Sequence, residues 1–154
     1  MALQIPDEWL AVSIRKGAIF LCLGLKYKSP EDRDLINDKY IICLTDLDHA
    51  RQRVPVAITT TQTDHGKHDH CIELINYDCF RKKTYLNLTF LQFLPFQMFK
   101  SAFENKNIFQ VGELREEDLE QLKTETRVAN MPTHALRREE YRAILVLLHD
   151  DIDI

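Results

Sequence analysis

The sequence predicts an α+β, mainly β domain: a small antiparallel barrel with helices appended. Three observations carry this. Five apolar or alternating runs crowd into residues 18–94. Their connections are too short for helical crossovers, so the strands pair antiparallel, and five such strands close most economically as a small barrel. Helix-period patterns lie before and after this stretch.

The first element is a short helix in "IPDEWLAVSIRKG" (5–17). Pro6 opens it and Asp7 and Glu8 sit in its first turn. Arg15 and Lys16 precede Gly17 at its end, which suits the helix dipole. "AIFLCLGL" (18–25) is continuously apolar and predicts a strand buried on both faces. "KYKSPEDRDLINDK" (26–39) is polar, carries Ser29-Pro30 and Asn37-Asp38, and predicts a long loop. "YIICLTDL" (40–47) is the second strand, "DHARQR" (48–53) a charged connection, and "VPVAITTTQ" (54–62) the third strand, with Pro55 tolerable near its start.

"CIELINY" (71–77) predicts a half-exposed strand. "RKKTYLNLTFLQFL" (81–94) alternates, with Leu86, Leu88 and Phe90 against Tyr85, Asn87 and Thr89. "PFQMFKSAFE" (95–104) places Phe96, Phe99 and Phe103 at helical spacing behind Pro95. "GELREEDLEQLKTETRVA" (112–129) reads as a helix with Leu119, Leu122 and Val128 on roughly one face. "MPTHALRREEYRAILVLLHD" (131–150) is the last helix, with Thr133 as N-cap and Tyr141, Leu145 and Leu148 as its apolar stripe. The closing "HDDIDI" sets acids at a helix C-terminus, where the dipole disfavours them, and predicts fraying.

Composition narrows the function classes. The chain has 154 residues, 45% hydrophobic and 29% charged, which fits one globular domain. Its net charge is −4, so a nucleic-acid partner needs a local basic patch. No apolar run approaches the ~18–20 residues of a membrane span. The N-terminus has no basic n-region ahead of its apolar stretch, so a cytoplasmic protein with no membrane association is expected. There Cys22, Cys43, Cys71 and Cys79 are reduced thiols, the first two as small core residues.

The order of elements, with certain residues in it, resembles the MazF/PemK/Kid family of toxin–antitoxin ribonucleases. The residues are Gly17-Ala18-Ile19-Phe20 for the family's opening and Lys39-Tyr40-Ile41-Ile42-Cys43-Leu44-Thr45 for its second strand. Val56-Ala57-Ile58-Thr59-Thr60 stands for its Pro-Ile-Thr-Ser strand. Lys83-Thr84-Tyr85-Leu86 and Gly112-Glu113-Leu114 continuing to Leu119 complete the pattern. The match runs from about residue 17 to about 125. It implies an SH3-like barrel core over 17–94, helices of family type over 95–129, and an extra C-terminal helix over 131–150 outside the likeness. It also implies a metal-independent, cofactor-free endoribonuclease of a type II toxin–antitoxin system. Such an enzyme cuts single-stranded RNA by 2′-hydroxyl attack and inhibits growth. Its partners would be the RNA, a cognate antitoxin protein and a second copy in a homodimer.

That chemistry needs a base, an acid, and cations or donors on the phosphoryl oxygens. Thr59 matches the family threonine and would donate to a phosphate oxygen; a plain strand threonine explains it as well. Thr84 stands at the usual serine, where it caps structure or touches substrate. Lys39 stands where the family has arginine, and lysine lacks the bidentate fork. Arg51 and Arg53, just before the threonine strand, are candidates to supply the missing guanidinium, or are solvated loop arginines. "RKK" with Lys82 and Lys83 is the densest basic run: it steers RNA, or it is a charged hairpin edge.

"TDHGKHDHC" (63–71) holds His65, His68, His70 and Cys71. It lacks the two spaced ligand pairs of a structural zinc site, so no metal is expected. His65 or His68 has the near-neutral titration of an acid or base, with His49 a lesser candidate. A polar solvated loop is the plainest account of the stretch. The alternatives to the ribonuclease are the same barrel with a degraded site, binding protein or RNA without cutting, and a metal-dependent enzyme built on the histidine loop.

Overall fold

The computed structural model describes residues 7–61, 71–126 and 132–152. Pro6, Val128, His65, His68 and His70, all singled out from the sequence, lie outside the described residues. The order is α1 (Asp7–Ser13), β1 (Ala18–Lys28), β2 (Asp34–Cys43), β3 (Arg53–Thr60), β4 (Cys71–Leu74), β5 (Thr84–Pro95), α2 (Phe96–Glu104), β6 (Ile108–Glu113), α3 (Glu116–Glu125) and α4 (Ala135–Ile152). The fold is α+β and mainly β. Its strands form one antiparallel sheet in the order β4-β5-β3-β2-β1-β6, an open barrel-like arrangement with β4 and β6 as edges.

The sheet has a core on each face, because side chains alternate along a strand. Phe20, Cys22, Ile41, Cys43, Val54, Val56 and Ile58 face Leu10 and Ile14 of α1 and Phe96 and Phe99 of α2. Ile19, Ile42, Ala57, Leu86 and Leu88 face Leu119 and Leu122 of α3 and Tyr141, Ile144, Leu145 and Leu148 of α4. This is why the start of β1 reads as continuously apolar.

Several expectations are corrected. Residues 26–39 are not a long loop: β1 runs to Lys28 and β2 starts at Asp34. The turn between them is closed by the Ser29 N–H donating to the Arg33 carbonyl and by the Ser29 hydroxyl oxygen accepting from Glu31 and Arg33 N–H groups. Backbone pairing holds this outer hairpin while Asp34, Ile36, Asn37 and Asp38 stay exposed, so polar composition hides the strands. The sheet has six strands, not five. Short, largely exposed β6 pairs with β1 where a helix-only reading began at Gly112. Helix α1 ends at Ser13, so Arg15 and Lys16 lie beyond its last turn. Arg15 instead pairs with Glu113. The His134 carbonyl accepts the Arg138 N–H, so α4 is capped at His134 and Thr133 stands one residue outside. The helix runs from Ala135 to Ile152.

The alternation of β5 also breaks. Ala57 pairs with Leu91 but Thr59 pairs with Leu86, so β5 bulges between them. Leu86 and Leu88 stay under the α4 core, while Phe90 crosses to the other core and meets Tyr27 edge-on at 6.0 Å. A buried side chain spans the open side of the barrel. Gln92 accepts from the Lys28 N–H and donates to the Lys28 carbonyl, both at 3.0 Å, acting as a strand partner for the end of β1.

Helix α4 is tied down at its N-terminal end. Arg137 lies 3.0 Å from Asp32 in the β1–β2 turn and also pairs with Glu140. The Glu140 carboxylate accepts the Phe93 N–H at 3.0 Å. Tyr141 is fully buried, and its hydroxyl has no hydrogen-bond partner among the described residues. Burial pushes that phenol up to about 12. An unpaired buried hydroxyl costs free energy, so Tyr141→Phe is expected to raise stability by about 1 kcal/mol in urea unfolding. A loss of stability would mean that the hydroxyl has a partner.

Candidate functional site at the Lys39 end of the sheet

The sequence-derived candidates fall into two groups at opposite ends of β3. Arg53 opens that strand opposite Pro95, and Thr59 closes it opposite Leu86. At 3.2–3.4 Å per residue the two lie roughly 20 Å apart. The Arg53 guanidinium stacks 3.8 Å over the Phe93 ring, and its buried Nε has no partner among the described residues. Arg51 is exposed and 3.7 Å from Asp48. His49 is exposed beside them. Neither arginine therefore supplies a guanidinium beside Thr59. The reason is directional: a residue just before a strand in sequence is at that strand's far end in space.

At the other end, β1–β2 pairing sets Lys39 opposite Cys22. Continuing the β2–β3 register past Ile41↔Ile58 sets Tyr40 beside Thr59 and Lys39 beside Thr60. Thr60 pairs with Tyr85, and Tyr85 with Glu73. Since paired residues share a face, Cys22 and Lys39 share one face, as do Thr60, Tyr85 and Glu73, and the continued β2–β3 register joins the two sets into one cross-strand row. Leu21, Tyr40, Thr59, Leu86 and Ile72 form the row behind it.

Thr59 thus stands on the face opposite Lys39. It is buried, and its hydroxyl donates to the Tyr40 carbonyl at 2.9 Å. Thr84 is also buried and donates to the Lys82 carbonyl at 2.9 Å. Both hydroxyls are spent on the fold. Lys39 is half-buried, with no ion pair among the described residues, and burial holds its ammonium below the usual lysine range. Lys83 is exposed and 3.9 Å from Glu73, and Arg81 and Lys82 are exposed beside it. Phe80, which precedes this basic run, packs edge-on against Tyr40 with centroids 4.8 Å apart.

The stretch carrying His65 and His68 is anchored at this same end. It leaves the sheet after Thr60 and rejoins it at Cys71, opposite Tyr85 and Asn87 of β5 respectively. Cys71 is half-buried, and burial raises its thiol. Among the described residues no three His, Cys, Asp or Glu side chains group as metal ligands. No described helix is long and apolar enough to cross a membrane.

The arrangement can hold an anion at a half-desolvated ammonium, with further cations alongside. Sequence reading named Thr60 and Tyr85 only within motifs and not as site candidates. Thr59 and Thr60 are neighbours, so only one can share a face with Lys39, and that choice depends on strand register rather than on motif. No family model matches this chain, and no curated protein matches it.

Proposed function

We propose that the chain is a toxin-like, metal-independent endoribonuclease acting on single-stranded RNA, with its site at the Lys39 end of the sheet. One observation carries this reading. The half-buried Lys39, the basic run Arg81–Lys83 and both anchors of the histidine-bearing stretch lie at one end of the sheet. Lys39 would neutralise the phosphoryl oxygens. His65 or His68 would take the 2′-hydroxyl proton as the O2′–P bond forms, and the other would protonate the leaving 5′-oxygen as P–O5′ breaks. Thr59 and Thr84 support the site from behind through backbone bonds. A homodimer and an antitoxin protein that blocks the RNA surface belong to the same proposal.

A second reading is favoured by the buried, occupied Thr59 hydroxyl and by the distance of Arg53: the same surface binds RNA without cutting it. Expression from a tight inducible promoter in a bacterial host separates the two. Growth arrest with cut cellular RNA, insensitive to chelator in the purified protein, is the expected result. Normal growth with intact RNA from well-folded protein, which still retards a labelled oligoribonucleotide, selects the binding module. Neither cutting nor binding rejects both.

A further inference from the structure

We propose that Tyr85 is a base-stacking platform: a nucleobase of single-stranded RNA lies on its ring while Lys83 and Lys39 take neighbouring phosphates. This rests on the RNA reading above and adds a residue and a contact type to it.

The chain has five tyrosines, and four are committed elsewhere. Tyr27 packs on Phe90 and Tyr40 on Phe80. The Tyr77 hydroxyl donates to Asp118 at 2.5 Å, with Arg115 over its ring. Tyr141 is fully buried under the sheet. Tyr85 alone belongs to neither hydrophobic core and to no aromatic pair, and its hydroxyl has no hydrogen bond among the described residues. It is partly exposed and lies on a strand, which fixes its backbone.

Its neighbours suit a polynucleotide. In the cross-strand row, Lys39 stands one strand beyond Thr60 on one side, and Glu73 lies opposite on the other. The Glu73 carboxylate is offset by Lys83 at 3.9 Å. An aromatic ring with Lys83 two residues before it and Lys39 two strands away offers an unstacked strand both charge for the backbone and a π-face for the base. Stacking accepts any base, so this contact gives affinity without sequence preference.

The test uses the full chain and a fluorescein-labelled 2′-O-methyl oligouridylate, which lacks the hydroxyl that cleavage needs, read by anisotropy across a salt series. Tyr85→Ala is expected to weaken binding roughly 5- to 100-fold, with the slope of log affinity against log salt unchanged. Lys39→Gln should reduce that slope by roughly 0.7, the signature of one lost phosphate contact. Tyr85→Phe should bind like wild type, because the ring and not the hydroxyl makes the contact. Tyr85→Leu keeps a bulky apolar strand residue and should still bind as weakly as Tyr85→Ala, which separates stacking from a folding defect. Wild-type affinity in Tyr85→Ala, or equal loss in Tyr85→Phe, overturns the platform while leaving the RNA reading intact. A wild-type chain that binds no single strand overturns both.

Discussion

Replacing Lys39 by Gln is expected to slow RNA cleavage roughly 100-fold, the usual cost of losing one preorganised charge at a developing oxyanion. Arg53→Ala should leave cleavage unchanged, because Arg53 stacks on Phe93 at the far end of β3. Single-turnover rates on a labelled oligoribonucleotide measure both. Lys39→Arg should retain cleavage and extend it to higher pH. Burial holds the Lys39 ammonium below the ordinary lysine range. The lysine therefore loses its proton at a lower pH than an exposed lysine would, and in the proposed site it would lose its hold on phosphate with it. A guanidinium stays charged throughout, so the alkaline limb of the profile should move up in Lys39→Arg. The reverse pattern, with Arg53→Ala inactive and Lys39→Gln active, would move the site to the other end of the sheet.

The largest stability effect is expected at Gln92. Its amide satisfies both backbone groups of Lys28 from within the core. Gln92→Leu keeps the volume but leaves a donor and an acceptor without partners, at a cost of about 2–4 kcal/mol. Urea unfolding should show a lower midpoint. Gln92→Glu should lose less at low pH, where a protonated carboxyl can again donate and accept, and more at neutral pH, where the carboxylate faces the Lys28 carbonyl. A Gln92→Leu change within ±0.5 kcal/mol, ordinary for a surface position, would remove the clasp from the account of this fold.

Much of the architecture was legible because burial on two faces writes itself as unbroken apolar runs. Ala18–Cys22 and Val54–Ile58 are such runs, while Phe96 and Phe99, three apart and in one core, mark α2 by helical spacing. What hid was structure held by the backbone. The outer β1–β2 hairpin is polar because little covers it, and β6 is short, with Phe109 and Gln110 exposed. The bulge in β5 is invisible in a single strand, since it exists only relative to β3. The site divided similarly. Lys39 and the basic run could be named from residue type. Which threonine shares a face with Lys39, and whether Arg53 reaches it, depended on pairing partners far away in sequence.

The pairing of β1 with β6 has a consequence for synthesis. The strand made first is completed on one side by a strand about 90 residues later in the chain. At ~5–20 residues per second on the ribosome, the backbone donors and acceptors along Ala18–Cys22 wait roughly 4–18 seconds for Ile108–Glu113. During that interval β1 is already long and apolar, the kind of edge that recruits other nascent chains. A cell making this protein quickly would therefore lose part of it to aggregates through β1. Slower translation, or a chaperone that holds the N-terminal third, would raise the folded yield without changing any contact in the finished molecule.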